Sequence, residues 1–178
     1  DQQPPQAVAR AVPDAACLDG VDVLYCDGFL PEIAVPLAKA ARERGIPVVL
    51  DGGSWKPWTG DLIAQVDHAV VSERFHPPGQ GGANILDAVQ ALGPSVAAIT
   101  RGPGLISWSD GAERPDIVPP QVDAVDTLGA GDIFHGAYCH FLAAGENVAD
   151  ALTHAAEVAA QSCRHFGTRA WIEARRAA

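Results

Sequence analysis

The sequence contains no methionine and begins at Asp1, so it is read as lacking its original N-terminus through truncation or processing. It also has no basic stripe: 12 lysines and arginines stand against 22 acidic residues, a formal net charge of −10. Nucleic-acid binding rests on clustered Lys and Arg facing phosphates, so no nucleic-acid partner is expected. The only basic clusters, Arg42/Arg44 and Arg175/Arg176, read as solvated helix faces. An anionic small molecule stays open, because backbone N–H groups hold phosphate without net positive charge. The four cysteines, Cys17, Cys26, Cys139 and Cys163, show no C-x-x-C spacing. That argues against zinc or dithiol chemistry and for buried, reduced thiols. No apolar run approaches the ~18 residues of a membrane span, and no basic-then-apolar leader opens the chain. The expectation is a soluble, cytoplasmic protein with no membrane partner.

What is present is an ordinary globular composition. Of 178 residues, 48% are hydrophobic and 19% charged, enough for one domain with a substantial core. After a weakly patterned lead-in over residues 1–16, strands and helices alternate. Val21–Cys26 and Ile46–Leu50 read as buried strands, separated by a helix that starts at Pro31 and closes at Gly45. In that helix Ile33, Leu37, Ala38 and Ala41 share one face. Asp61–Val66 reads as a helix, His68–Val71 as a strand, Ala83–Leu92 as a helix and Val96–Thr100 as a strand. A Gly-Pro-Gly turn then leads to a fifth strand, Leu105–Trp108, expected to be antiparallel. From residue 130 onward two Ala-rich helices are expected, Ala130–Ala144 and Val148–Phe166. Near-continuous apolar strands between helices imply an α/β sheet covered on both faces.

The stretch that carries chemistry is Asp126-Thr127-Leu128-Gly129-Ala130-Gly131-Asp132, directly before a helix. Small residues at 129–131 leave the backbone amides uncovered, and a helix start aims those amides outward with its positive dipole end behind them. That is an anion hole suited to a phosphoryl group in transfer. Asp132, in the first turn, is placed to take the proton of an attacking hydroxyl. The plainer alternative is a helix start whose first turn holds an acid.

The run Asp126–Asp132, continued by Phe134, Gly136 and Ala137, resembles the second signature of the pfkB/ribokinase family of carbohydrate kinases. The resemblance extends over nearly the whole chain from Val21. It implies a ribokinase-like three-layer α/β/α sandwich with a mostly parallel central sheet. Residues 1–178 would be the C-terminal, nucleotide-binding and catalytic portion of one such domain, with the N-terminal part and its lid missing. It implies ATP as cofactor with magnesium, and potassium as an accessory ion. In such kinases the signature aspartate is the catalytic base and the small residues before it form the anion hole. These roles carry onto Asp132 and onto Gly129, Ala130 and Gly131. Asp126, by its side chain, and Leu128, by its carbonyl, would hold a monovalent cation.

Other family elements match with departures. Thr100, Gly102 and Gly104 resemble the T-x-G-x-x-G nucleotide loop, one residue short before the second glycine. His154 falls where the family places a residue beside the adenine, although a lone histidine on an Ala-rich helix also reads as packing. Ser72-Glu73-Arg74-Phe75 occupies the place of the N-x-x-E motif, with Ser for Asn and Phe for Glu, so Glu73 is the remaining candidate for magnesium. Lys56 resembles a basic residue near the nucleotide phosphates, and could equally be a solvated lysine. Trp55 and Trp58 flank it and could line a site, whereas Trp108 and Trp171 read as packing anchors.

The implied reaction is phosphorylation of a hydroxyl on a sugar or sugar derivative. Residues 155–170 and the Asp51-Gly52 loop resemble the sulfofructose-kinase-like and ketohexokinase-like branches, which implies a ketose. A nucleoside or vitamin-precursor kinase on the same fold, and a nucleotide-binding module without catalysis, are the alternatives. The lid often forms the dimer contact in this family, which leaves the oligomeric state open, with a homodimer of the full-length protein as one option.

Overall fold

The computed structural model describes residues 13–79, 84–112 and 114–177. They form two compact units. The first runs through Ile99 and takes in Trp108–Arg114; the second comprises Thr100–Ser107 and the chain from Pro115 onward.

In the first unit a 3-10 turn, Ala15–Leu18, precedes strand β1 (Leu24–Cys26), helix α1 (Pro31–Glu43), β2 (Val48–Gly52), α2 (Thr59–Ile63), β3 (His68–Ser72), α3 (Ile85–Gln90) and β4 (Val96–Thr100). A short β5 (Ser107–Ser109) completes a five-stranded sheet in the order β1-β2-β3-β4-β5. The β1/β2 and β2/β3 pairs are parallel, with Tyr25 opposite Val49 and Leu50 opposite Ala69. The mostly parallel α/β architecture is therefore the one expected. Alternation along β2 does not sort polar from apolar residues: Val48, Val49 and Leu50 are all buried, as in strands covered on both faces. One core cluster gathers Val48, Leu50, Val71 and Ile99 with Ala38 and Ala41 of α1 and Leu62 and Ile63 of α2. Leu50, Leu62 and Ile63 are 1% exposed or less, and each such side chain stabilises the fold by roughly 1.5–3 kcal/mol.

Several element ends differ from those read in the sequence, each for a local reason. Strand β1 starts at Leu24, because the Val21 N–H closes a turn on the Leu18 carbonyl and the ladder begins only with Leu24 N–H on Pro47. Ile46 is not in β2; its N–H caps α1 by bonding the Ala41 carbonyl. Helix α2 begins two residues before Asp61, where the Thr59 hydroxyl accepts the Lys56 N–H, and ends at Ile63 in a tightened last turn. Helix α3 starts only after Asn84, whose side chain accepts the Leu86 N–H; Ala83 lies outside the described residues. Strand β5 is displaced C-terminally, and Ile106 instead makes an antiparallel bridge with Ile117.

The second unit is helical, with α4 (Ala130–Ala143), α5 (Val148–Ser162) and α6 (Ala170–Ala177). A four-residue connection makes α4 and α5 an antiparallel hairpin. Gly145, at φ 86°, ends α4, and the Asn147 side chain caps α5 by accepting the Asp150 N–H. Tyr138, Ala151, Leu152 and Ala155 are fully buried in this unit, the alanines of α5 allowing close approach. Helix α5 stops at Ser162, short of Phe166, because the next carbonyl, that of Cys163, accepts the N–H groups of Val125 and Asp126. Helix α6 carries Arg175 and Arg176, read in the sequence as a helix face, but its single Trp-Ile pair gives too little periodicity to bound it there. No helix among the described residues is long and apolar enough to cross a membrane.

Candidate active site

Within the second unit, residues 126–132 form a stapled turn that feeds α4. The Asp126 carboxylate accepts the Leu128 N–H on one oxygen and the Gly167 N–H on the other, both at 2.9 Å. Those two amides, Leu128 first, hold its carboxyl below the usual carboxylate range against an opposing burial effect. With the Val125 and Asp126 N–H groups on Cys163, the turn is tied at both ends to the chain that follows α5. Gly129 takes the N-cap position at φ 72°, a left-handed conformation, and offers no capping side chain. A Cβ there would stand 3.0 Å from the Thr168 methyl. Ala130 N–H closes on the Thr127 carbonyl, whereas Gly131 and Asp132 stand in the first turn, where a helix has no intrahelical acceptor to offer.

That first turn opens on a cavity of about 280 Å³ with mostly apolar walls. Ala130 and Gly131 line it, as do Thr100 at the end of β4 and Gly102 in the loop after it. The structure thus brings parts of two sequence-read segments to one cavity, Ala130 and Gly131 from one and Thr100 and Gly102 from the other. The shortened loop is a tight turn: Gly104 N–H bonds the Arg101 carbonyl at 2.9 Å, and Gly102 sits at φ 57°. Gly129, Asp132, Asp126 and Leu128 adjoin the cavity-lining turn without lining the cavity, and Gly104 lies at the far end of its loop. Asp132 itself is exposed in the first turn of α4.

His154 is also outside the cavity lining. Its Nδ1 meets Glu146 Oε2 at 2.8 Å, and its ring lies 5.1 Å from that of Phe141, so it ties α5 to the end of the α4–α5 connection. The Glu146 carboxylate, first by hydrogen bond and then by charge, raises the His154 pKa against desolvation. The pair therefore contributes fully below the ordinary histidine value near ~6.5 and is lost as pH rises through the raised folded value. The thermal midpoint of the protein over that of a Glu146→Gln variant should accordingly be larger near pH ~5.5 than near pH ~8.5. An equal difference at both pH values would remove the tie.

Sequence reading missed the rest of the cavity wall. Pro119, Pro120, Gln121 and Val122 line it, and Gln121 donates to the carbonyls of Pro103 and Pro119 at 3.1 and 3.2 Å. This stretch has no periodicity to betray it. His135 was missed too, although its i+4 spacing from Gly131 puts both on one helix face.

In the first unit, Lys56 Nζ lies 4.4 Å over the Phe29 ring, and Trp58 donates to the Gly28 carbonyl at 3.0 Å. Ser72 donates its hydroxyl to the Gly53 carbonyl at 2.7 Å and accepts the Arg74 N–H, so it braces the loop after β2. Phe75 is 1% exposed and packs edge-on against Trp55, 5.5 Å between centroids, which explains why an acid is absent there. Glu73 is exposed. Among the described residues no three His, Cys, Asp or Glu side chains gather as a metal site.

Residues 11–175 match the profile of the pfkB family carbohydrate kinases. Among curated proteins, the ribokinase of Bacillus subtilis (strain 168) is 29% identical over 165 residues, which is 89% of this chain and 54% of that protein. The bifunctional protein HldE of Gluconobacter oxydans (strain 621H) is 24% identical over 158 residues, 83% of this chain and 33% of that protein. A candidate ribokinase of Agrobacterium tumefaciens superposes with a TM-score of 0.77 at 30% identity, covering 93% of this chain and 57% of that one. Arabidopsis thaliana ribokinase, solved with ribose and ATP, gives a TM-score of 0.74 at 22% identity over 86% and 53% of the two chains. The chain spans about half or less of the length of the curated relatives it matches.

Proposed function

The chain belongs to the pfkB family of carbohydrate kinases, and on that premise we propose that the protein transfers the terminal phosphoryl group of ATP to a hydroxyl of a sugar or sugar derivative. The observation that carries this reading is the uncapped first turn of α4, with Asp132 on it and Ala130 and Gly131 opening on the cavity. In this reading the substrate hydroxyl gives its proton to Asp132 as its oxygen attacks the γ-phosphorus, and the bond to the ADP oxygen breaks. The amides of Gly129 and Gly131 are the proposed donors to charge on the moving phosphoryl, whereas the Ala130 N–H expected beside them is taken by the Thr127 carbonyl. Gly129 and Gly131 suit this role because a glycine lets an anion approach the backbone. Thr100, Gly102 and Gly104 are the proposed loop beside the nucleotide and Lys56 and His154 its proposed further contacts, while the Ser72 hydroxyl, expected there too, is spent on Gly53 and Arg74.

Magnesium, when bound with the nucleotide, neutralises phosphate charge. Phe75 does not fit it, being buried, and the Ser72 hydroxyl is already committed to Gly53. Glu73 does fit, since magnesium is commonly held by one carboxylate together with phosphates and water. The ionised Asp126 carboxylate and the Leu128 carbonyl suit potassium, an oxygen-seeking cation. A sugar is the proposed partner and a homodimer the proposed assembly of the full-length protein.

The test is ADP release by the full-length protein with MgATP and a panel of sugars, nucleosides and vitamin precursors. Turnover with sugars above the others is expected, and potassium should raise it over a bulky ammonium salt at equal ionic strength. Turnover only with nucleosides or vitamin precursors would move the substrate class, and none with any alcohol would make this a binding module. Equal rates in the two salts would leave Asp126 as a residue of the turn alone.

A further inference from the structure

On the functional reading above, we propose that His135 is a positioning residue for the phosphoryl-binding turn, acting through the Gly131 carbonyl. His135 is only 4% exposed, yet it lines the cavity together with Gly131. Its Nδ1 lies 2.8 Å from the Gly131 carbonyl oxygen, one turn back along α4. A carbonyl oxygen has no proton to give, so Nδ1–H donates and the ring is held as that tautomer.

The bond matters because of what shares the peptide with that oxygen. The Gly131 carbonyl and the Asp132 N–H belong to one planar unit, and fixing one fixes the direction of the other. The same plane sets where the Asp132 Cα, and hence its carboxylate, leaves the helix. In the helix ladder this carbonyl also faces the His135 N–H, so the imidazole adds a second, side-chain donor to the same oxygen. Gly131 is exposed and a Cβ built on it would meet nothing within 4 Å, so no packing braces it from the cavity side. Gly129 supplies no capping side chain, and its left-handed backbone is tolerated because it is glycine. A turn built of small residues for anion access is thus loose by composition, and His135 steadies it from inside the helix. The side chain needs no contact with the substrate to do so.

Two substitutions separate the donor from the bulk it occupies. His135→Phe keeps a ring against Phe134, whose centroid is 5.7 Å away, but removes the donor. His135→Asn loses the ring but can place an amide N–H at the same distance from Cβ as Nδ1. In the full-length protein, His135→Phe should lower kcat roughly tenfold or more with nucleotide and sugar KM within about twofold, as expected of an interaction that matters in the transition state. His135→Asn should recover most of that loss even if it is the less stable variant. A purely structural histidine predicts the reverse order, kcat following thermal stability. Retention of kcat within twofold by His135→Phe, or equal losses in both variants, would overturn the role. The hydrogen bond has its own readout: a histidine ring 1H–15N spectrum of the wild-type protein should give His135 as Nδ1–H, and an Nε2–H tautomer overturns the bond whatever the activity. A wild-type protein that phosphorylates no alcohol would overturn the functional reading and the positioning role with it, while an Nδ1–H signal would still bear out the geometry.

Discussion

Asp132→Asn should cut turnover by roughly 10²–10⁴-fold while leaving ATP affinity near its wild-type value. Asparagine keeps the size and polarity of the side chain and replaces the carboxylate base that would take the hydroxyl proton with a non-basic amide. Asp132 is exposed in the first turn of α4 and does not line the cavity, so the exchange disturbs neither packing nor the nucleotide side. An acid in the first turn also favours the helix electrostatically, but at an exposed position that effect is only about 0.3–1 kcal/mol. It is too small to mimic a catalytic loss of several kcal/mol. The two roles therefore separate cleanly: a helix-start acid would shift the thermal midpoint slightly and leave kcat alone. Steady-state kinetics and calorimetric ATP titration of the full-length variant make the check. Near-normal turnover would remove Asp132 as the base.

How much of this could be read from the sequence follows the range of the interactions. Strands β3 and β4 were legible as His68–Val71 and Val96–Thr100, because strands buried on both faces are written as contiguous apolar runs. The helix start after Gly129 was legible because a run of small residues entering a helix is a local device: adjacent residues alone create it. The end of α5 was not legible. Its limit is set by the Cys163 carbonyl, which bonds Val125 and Asp126 from far earlier in the chain. Asp126 shows both cases at once. Its bond to Leu128 is an ordinary local turn, while its bond to Gly167 spans 41 residues and appears only when the chain folds. The cavity wall at Pro119–Val122 escaped for a similar reason, since an irregular segment acquires its role from what it faces. Phe75 marks the opposite limit. The departure from the motif was plain in the sequence, but its cause, burial against Trp55, is a tertiary fact.

The two glycines of the proposed anion hole should respond differently to the same substitution. Gly129 sits at φ 72°, where a β-branched residue is strongly disfavoured, and its Cβ would meet the Thr168 methyl at 3.0 Å. Gly129→Val should therefore destabilise the protein by about 2–5 kcal/mol, combining a left-handed backbone penalty with overpacking, and activity should fall with it. Gly131 has no such constraint: its φ is not positive, and a Cβ there meets nothing within 4 Å. Valine is also a better helix residue than glycine, so Gly131→Val should leave the thermal midpoint at or slightly above its wild-type value. Yet Gly131 lines the cavity, and the added isopropyl group would stand where the phosphoryl must approach the amides. Losing one such donor typically costs about 10²–10³-fold in kcat. Gly131→Val is thus expected to be folded and nearly inactive, Gly129→Val inactive because it is poorly folded. Thermal unfolding and kcat measured on both variants decide the matter. A parallel collapse of stability in Gly131→Val would make that glycine a packing residue, and unimpaired turnover would take the phosphoryl group away from the first turn of α4.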